Sequence, residues 1–163
     1  MSNSKFVRVI EHRGFVGGYR NEYAVSTSSE LGYASKNGNA EIDADTRAFL
    51  EYSLIPASES GDYETVKMTL KLVSNVHTNN DEALRRASEK GHFEVVKLLL
   101  AYGANVHAND DEALIKASEN GHFEVVKLLL AYDANVHARY DLALPLAYEN
   151  GHSNIVELLK KYK

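Results

Sequence analysis

The twelve residues from Gly91 to Tyr102, Gly-His-Phe-Glu-Val-Val-Lys-Leu-Leu-Leu-Ala-Tyr, return letter for letter at Gly121 to Tyr132. A copy of that length thirty residues away restricts the chain to a stack of like units, because one such unit cannot bury its own apolar face. Aligning on the glycine places four units, at Gly61, Gly91, Gly121 and Gly151. Asn75–Ala104 and Asn105–Ala134 agree at 24 of 30 positions. The copy at 135–163 has diverged more. The one before Asn75 is degenerate but keeps Ala57-Ser58-Glu59, Gly61, Glu64, Val66-Lys67 and Leu70. The array is therefore expected over 46–163, with repeats near 46–74, 75–104, 105–134 and 135–163.

Each unit reads as two short helices. Asp81 is placed to cap the first, and Glu82 suits the positive end of its dipole. Leu84, Ala87 and Ser88 form a narrow face of small residues that permits close helix approach. Gly91 ends that helix in a left-handed conformation. The second helix carries Phe93, Val96, Leu99 and Leu100 on one face with Val95, Leu98 and Tyr102 beside it. That is too apolar for a helix with one wet side, so it is expected to be sandwiched between neighbouring units. Gly103 then turns the chain, and Asp133 takes its place in the next copy as a poorer left-handed residue.

These residues resemble the ankyrin repeat. Leu84, Ala87, Gly91-His92, Val95-Val96, Leu98-Leu99 and Gly103-Ala104 match its common form, and Leu114 through Ala134 match in parallel. The resemblance implies an all-α solenoid of about four helix-turn-helix units. Two departures stand out. The usual Thr-Pro-Leu-His block is Glu82-Ala83-Leu84-Arg85, Glu112-Ala113-Leu114-Ile115 and Leu142-Ala143-Leu144-Pro145. The period is 30 residues instead of about 33, and the shortening falls in the hairpin loop that joins repeats. This abbreviated style is similar to the ankyrin proteins of large amoeba-infecting DNA viruses.

The two ends differ from the middle. Lys160, Lys161 and Ser153 stand where Leu130, Ala131 and Phe123 stand one unit earlier, as expected where no further repeat docks. At the front, Thr69 and Lys71 dilute the apolar face. Asp45 to Leu50 looks like a helix start that Pro56 should kink or restart. Residues 1–45 form an irregular leader. Its runs Phe6–Ile10 and Tyr23–Val25 flank Gly14, Gly17 and Gly18, so it reads as a weak hairpin or as loosely ordered chain. Those glycines open no helix and are rejected as a phosphate loop.

Six of the seven histidines are periodic: His77, His107 and His137, and His92, His122 and His152. Equivalent positions in stacked helices lie about 8–10 Å apart, too far for two ligands of one zinc ion, so no metal site is assigned. The ankyrin resemblance implies that the Gly-His histidines lie in the inter-helix turn, where they can bond backbone groups. The pairs Asp81/Glu82 and Asp111/Glu112 read as helix-start acids rather than acid–base machinery. No triad breaks the symmetry of the copies, so neither enzymatic activity nor a cofactor is expected.

Differences between the two best copies gather in the turn and first helix: Thr78/Ala108, Asn80/Asp110, Arg85/Ile115, Arg86/Lys116 and Lys90/Asn120, with Gly103/Asp133 apart from them. By resemblance, loop tips and first helices line a concave face that grips a partner protein. The candidate binding residues are Asn79, Asn80, Arg86, Lys90, Asn109, Asp110, Lys116, Asn120, Arg139, Tyr140, Leu146 and Asn150. The cations among them suggest a partner patch with some acidic character. A net charge of −5 and a pI near 5.8 argue against nucleic acid or an anionic membrane as partner. The absence of cysteine and of a signal-peptide core fits an unsecreted, intracellular protein, expected to be monomeric. The alternative is a stable repeat stack with no dedicated partner.

Overall fold

The structure is a computed structural model that describes residues 44–73 and 75–162. The leader's two β-favouring runs and its glycines lie outside them. The described chain begins with α1 (Ala44–Ser60), α2 (Tyr63–Val73), α3 (Thr78–Lys90), α4 (Phe93–Ala101), α5 (Ala108–Glu119) and α6 (Phe123–Ala131). It continues through the short α7 (Ala138–Asp141), α8 (Ala143–Glu149) and α9 (Ser153–Lys160). Among the described residues there is no strand, so the short links between repeats are made by turns alone.

Helices pair as α1/α2, α3/α4, α5/α6 and α8/α9, and the pairs stack in two layers. First helices α1, α3, α5 and α8 pack in sequence, and second helices α2, α4, α6 and α9 pack behind them. Small residues explain the first layer: Ala57, Ala83, Ala87, Ala113, Ala117, Ala143 and Ala147 are buried there with Ser58, Ser88 and Ser118. Without bulky side chains the axes come close. Leu54, Leu84 and Leu114 from the first layer, and Leu70, Leu99, Leu129 and Leu159 from the second, are fully enclosed between repeats.

The second helices are less completely sandwiched than the sequence implies. Val95, Val96, Leu99 and Leu100 are buried, but Phe93 and Leu98 are half-buried, and Glu94, Lys97 and Tyr102 face outward. A strip of wet surface therefore remains on α4 and α6. Ala131 is exposed as well, so its replacement by Lys161 removes nothing from a core. Leu130 is buried while its counterpart Lys160 is exposed, as expected. Thr69 does not dilute a free face, because it is fully buried in the core. Helix α1 runs through Pro56 instead of restarting there.

Helix ends follow the glycine expectation. Gly91 has φ 77° and Gly103 φ 89°, and Asp133 takes Gly103's role at φ 64°. Backbone freedom is only half of the reason for the first of these glycines. A Cβ on Gly121 would lie 2.5 Å from Cε1 of His152. That imidazole packs directly on the glycine of the preceding repeat, and the same arrangement joins Gly61 to His92 and Gly91 to His122. The Nε2–H of His92, His122 and His152 donates to the carbonyl of Glu59, Glu89 and Glu119, at 2.9, 2.9 and 3.1 Å. Each Gly-His histidine thus fastens its own repeat to the one before it.

Candidate partner-binding surface

The turn before the first helix of each of the last three repeats is wound the wrong way. Asn79, Asn80 and Asp81 have φ of 52°, 59° and 55°, so the right-handed helix begins only at Glu82. Asn109, Asp110 and Asp111 repeat the conformation, and Arg139, Tyr140 and Asp141 repeat it again. Three left-handed residues in succession cost about 1–2 kcal/mol each for ordinary side chains, and least for asparagine and aspartate. The first two turns contain only those two residue types.

What compensates the turn is its third residue. The carboxylate of Asp81, 3% exposed, accepts the backbone N–H of Asn105 from the next repeat at 2.9 Å and Nδ1–H of His77 at 3.0 Å. Asp111 does the same with Asn135 at 2.8 Å and His107 at 3.1 Å. A carboxylate only accepts, so Nδ1 carries the proton in each pair. Asn105 and Asn135 extend the network by accepting the N–H of His107 and His137, each at 3.0 Å. The bonds of Asp81 and Asp111 thus go to a histidine four residues earlier and to the next repeat, not to the first amides of the helices they precede. The expected cap is replaced by a polar ladder that ties the second repeat to the third and the third to the fourth.

On this frame Asn79, Asn80, Asn109, Asp110, Arg139 and Tyr140 are all exposed. Tyr140 protrudes completely. Arg139 folds back to the preceding turn, donating to the carbonyl of Asn109 at 2.8 Å and reaching Asp110 at 4.0 Å. Lys90, Asn120 and Asn150 sit exposed at the ends of the first helices. The amides of Asn120 and Asn150 bend back to the carbonyls of Lys116 and Leu146, at 2.8 and 2.9 Å. Leu146 is half-buried against the core, which makes it a packing residue more than an exposed anchor.

Two of the cations, Arg86 and Lys116, are already paired with glutamates of their own helices. Arg86 donates through Nε and a terminal nitrogen to Glu82 at 3.2 Å and approaches Glu89 at 3.8 Å. The Glu82 bond, with the charges of Glu59, Glu82 and Glu89, holds its guanidinium above the usual arginine value. Lys116 donates to Glu119 at 2.8 Å. That bond, with the charges of Glu119, Glu89 and Glu112, raises its ammonium. Such exposed pairs contribute little to stability, but they neutralise the surface. Lys90 and Arg139 are the exposed cations of this side that no glutamate of their own helix is seen to pair.

Two residues left out of the candidate set are central to the geometry. Arg85 donates to the carbonyls of Asn79 and Asn80 at 3.1 and 3.3 Å and pairs with Glu112 of the next repeat at 2.7 Å. Burial would raise the Glu112 carboxyl. Hydrogen bonds from Asn109 and Arg85, with the charges of Arg85 and Arg139, outweigh it and hold the group below the usual carboxylate range. The sequence signal for this surface was the acid at 30-residue spacing, in Glu82 and Glu112 and in Glu59, Glu89, Glu119 and Glu149.

Both histidine columns have positions in this scheme, one bonded to carbonyls and the other to ladder carboxylates. Among the described residues no group of three or more histidine, aspartate or glutamate side chains converges as a metal site would require. No helix among them is long and apolar enough to cross a membrane. Comparison with curated proteins finds no match. A family model described as ankyrin repeats (3 copies) matches residues 21–110, 54–140 and 109–163.

Proposed function

The chain belongs to the ankyrin-repeat family, whose repeats are generally protein–protein interaction modules, and from that premise we propose that it binds a partner protein on the side formed by its left-handed turns and first helices. In this reading that side is the concave one, since alanine and serine let the first helices approach more closely than the second helices do. The 30-residue period favours a short-repeat member of the family, acting as a monomeric scaffold without catalysis.

The observation that carries the proposal is Tyr140. It is fully exposed and held at φ 61°, where Asn80 and Asp110 of the earlier turns are better suited. An aromatic side chain with no contact to its own fold, kept in a costly backbone conformation, is the residue type that anchors interfaces. Arg139 beside it is braced against the preceding turn. Because Arg86 and Lys116 are neutralised by their own helices, recognition rests on Tyr140 and on the polar groups of Asn79, Asn80, Asn109 and Asp110.

Affinity capture from cell extract, with the intact chain and with Arg86, Lys116, Arg139 and Tyr140 replaced by alanine, tests the surface. The variant should keep its circular dichroism and lose a specific partner. Undiminished capture by the folded variant would remove this surface from consideration.

A further inference from the structure

The first helices of the last two repeats end in the same dipeptide, Asn120-Gly121 and Asn150-Gly151, where the two earlier units have Ser60-Gly61 and Lys90-Gly91. Glycine leaves the peptide nitrogen after the asparagine unshielded, and both asparagines are exposed. We propose that Asn120 is a site of spontaneous covalent modification whose product loosens the last repeat, whereas the same chemistry at Asn150 leaves the stack intact.

The reaction needs only water. The backbone nitrogen of Gly121, losing its proton, attacks Cγ of Asn120; an N–C bond forms, and the side-chain nitrogen leaves as ammonia. Water then opens the five-membered imide at either carbonyl, giving aspartate or the isomer whose main chain runs through the former side chain. In the folded protein the amide of Asn120 is drawn away, donating to Lys116 O at 2.8 Å. Attack therefore waits for the last turn of α5 to fray, and one hydrogen bond slows it roughly fivefold to tenfold against a free peptide. Asn150 is bonded to Leu146 O at 2.9 Å, and there the attacking N–H of Gly151 is held as well, donating to Tyr148 O at 3.1 Å, so conversion at Asn150 is the slower of the two.

The consequences differ because of what lies on each glycine. His152 packs against Gly121 so closely that a Cβ there would stand 2.5 Å from its ring, and its Nε2–H donates to Glu119 O at 3.1 Å. An extra methylene in the main chain between Glu119 and Gly121 displaces both halves of that contact. The new carboxylate also sits at the negative end of the α5 dipole. Gly151 has nothing within 4 Å of an added Cβ, so conversion at Asn150 disturbs no inter-repeat contact.

The experiment ages the full chain at 37 °C and mildly alkaline pH beside the free peptide Glu-Asn-Gly-His-Phe, reading isoaspartate by peptide mass spectrometry and protection of α8 and α9 by hydrogen exchange. N120K and N150K are the controls, lysine being the residue at the equivalent Lys90. We expect isoaspartate at both sites, lost protection over α8 and α9 in the intact chain and in N150K, and retained protection in N120K. No conversion at Asn120 by the time the peptide has fully reacted, or conversion without lost protection, overturns the proposal.

Discussion

Asp81 and Asn105 lie in different repeats, yet the buried carboxylate of the first holds the backbone N–H of the second at 2.9 Å. Asp111 and Asn135 repeat the relationship at 2.8 Å. The stack is therefore joined along its turns by charge-assisted hydrogen bonds as well as by its leucine core, and the residues that make them are the ones that stabilise a left-handed turn.

Replacing Asp111 by alanine should destabilise the protein by about 2–3 kcal/mol more than replacing Asp110 does, since the ladder bonds of a buried carboxylate are lost. The two positions have φ of 56° and 55°, so the backbone penalty of alanine cancels between them. Urea denaturation of the two variants measures the difference; equal midpoints would mean the ladder carries no stability.

Gly121→Ala and Gly151→Ala make a second matched pair. Both backbones are left-handed, at φ 81° and 77°, and both variants should lose about 1 kcal/mol for that reason. Only the Gly121 variant also drives a methyl group into His152, adding about 1–3 kcal/mol of overpacking. Thermal unfolding of both variants reads the gap.

The hydroxyls of Ser88 and Ser118 are enclosed without a hydrogen-bond partner. Burying an unsatisfied hydroxyl is unfavourable, and alanine has the better helix propensity. Ser118→Ala should leave stability unchanged or raise it by up to about 1 kcal/mol, visible as a higher denaturation midpoint at constant slope.

Glu112 gives a pH dependence with a definite sign. Its folded carboxyl is held below the ordinary value of 4.5, so it contributes stability above that value and loses it as the pH falls through the lowered one. Stability profiles of the intact chain and Glu112→Gln between pH 7 and pH 3 should converge toward the acid end. A constant offset between the curves would rule out this contribution.

Tyr140→Asn restores the residue type found at Asn80. It should raise stability by about 1 kcal/mol through relief of the left-handed strain, while weakening partner capture. A variant that is less stable than the intact chain would show that Tyr140 supports the fold.

Much of this was legible before any coordinates. The period, the paired helices, Gly91 as a left-handed terminator and Asp133 in the role of Gly103 all follow from local rules, whereas the Gly-His histidines bond carbonyls 33 residues away. Asp81 was misassigned because a capping acid and a ladder acid look the same in one dimension. Their difference lies in whether the nearest free N–H belongs to the acid's own helix or to the next repeat. The role of Arg85 is invisible in local sequence because its partners are carbonyls and Glu112, 27 residues away. The half-burial of Leu146 depends on core residues distant in sequence, which no local pattern reveals.

The sequence alone determined the repeat unit, its helical content and the places where the backbone must turn, because these depend on neighbours three or four residues apart and on a period that survives copying. Tertiary structure decided which polar groups face one another across a repeat boundary. That choice made Asp81 and Asp111 rungs instead of caps, paired Arg85 with Glu112 of the next repeat, and left Tyr140 standing clear. Those outcomes depend on distances between residues about thirty positions apart in the chain, and only packing brings such residues into contact.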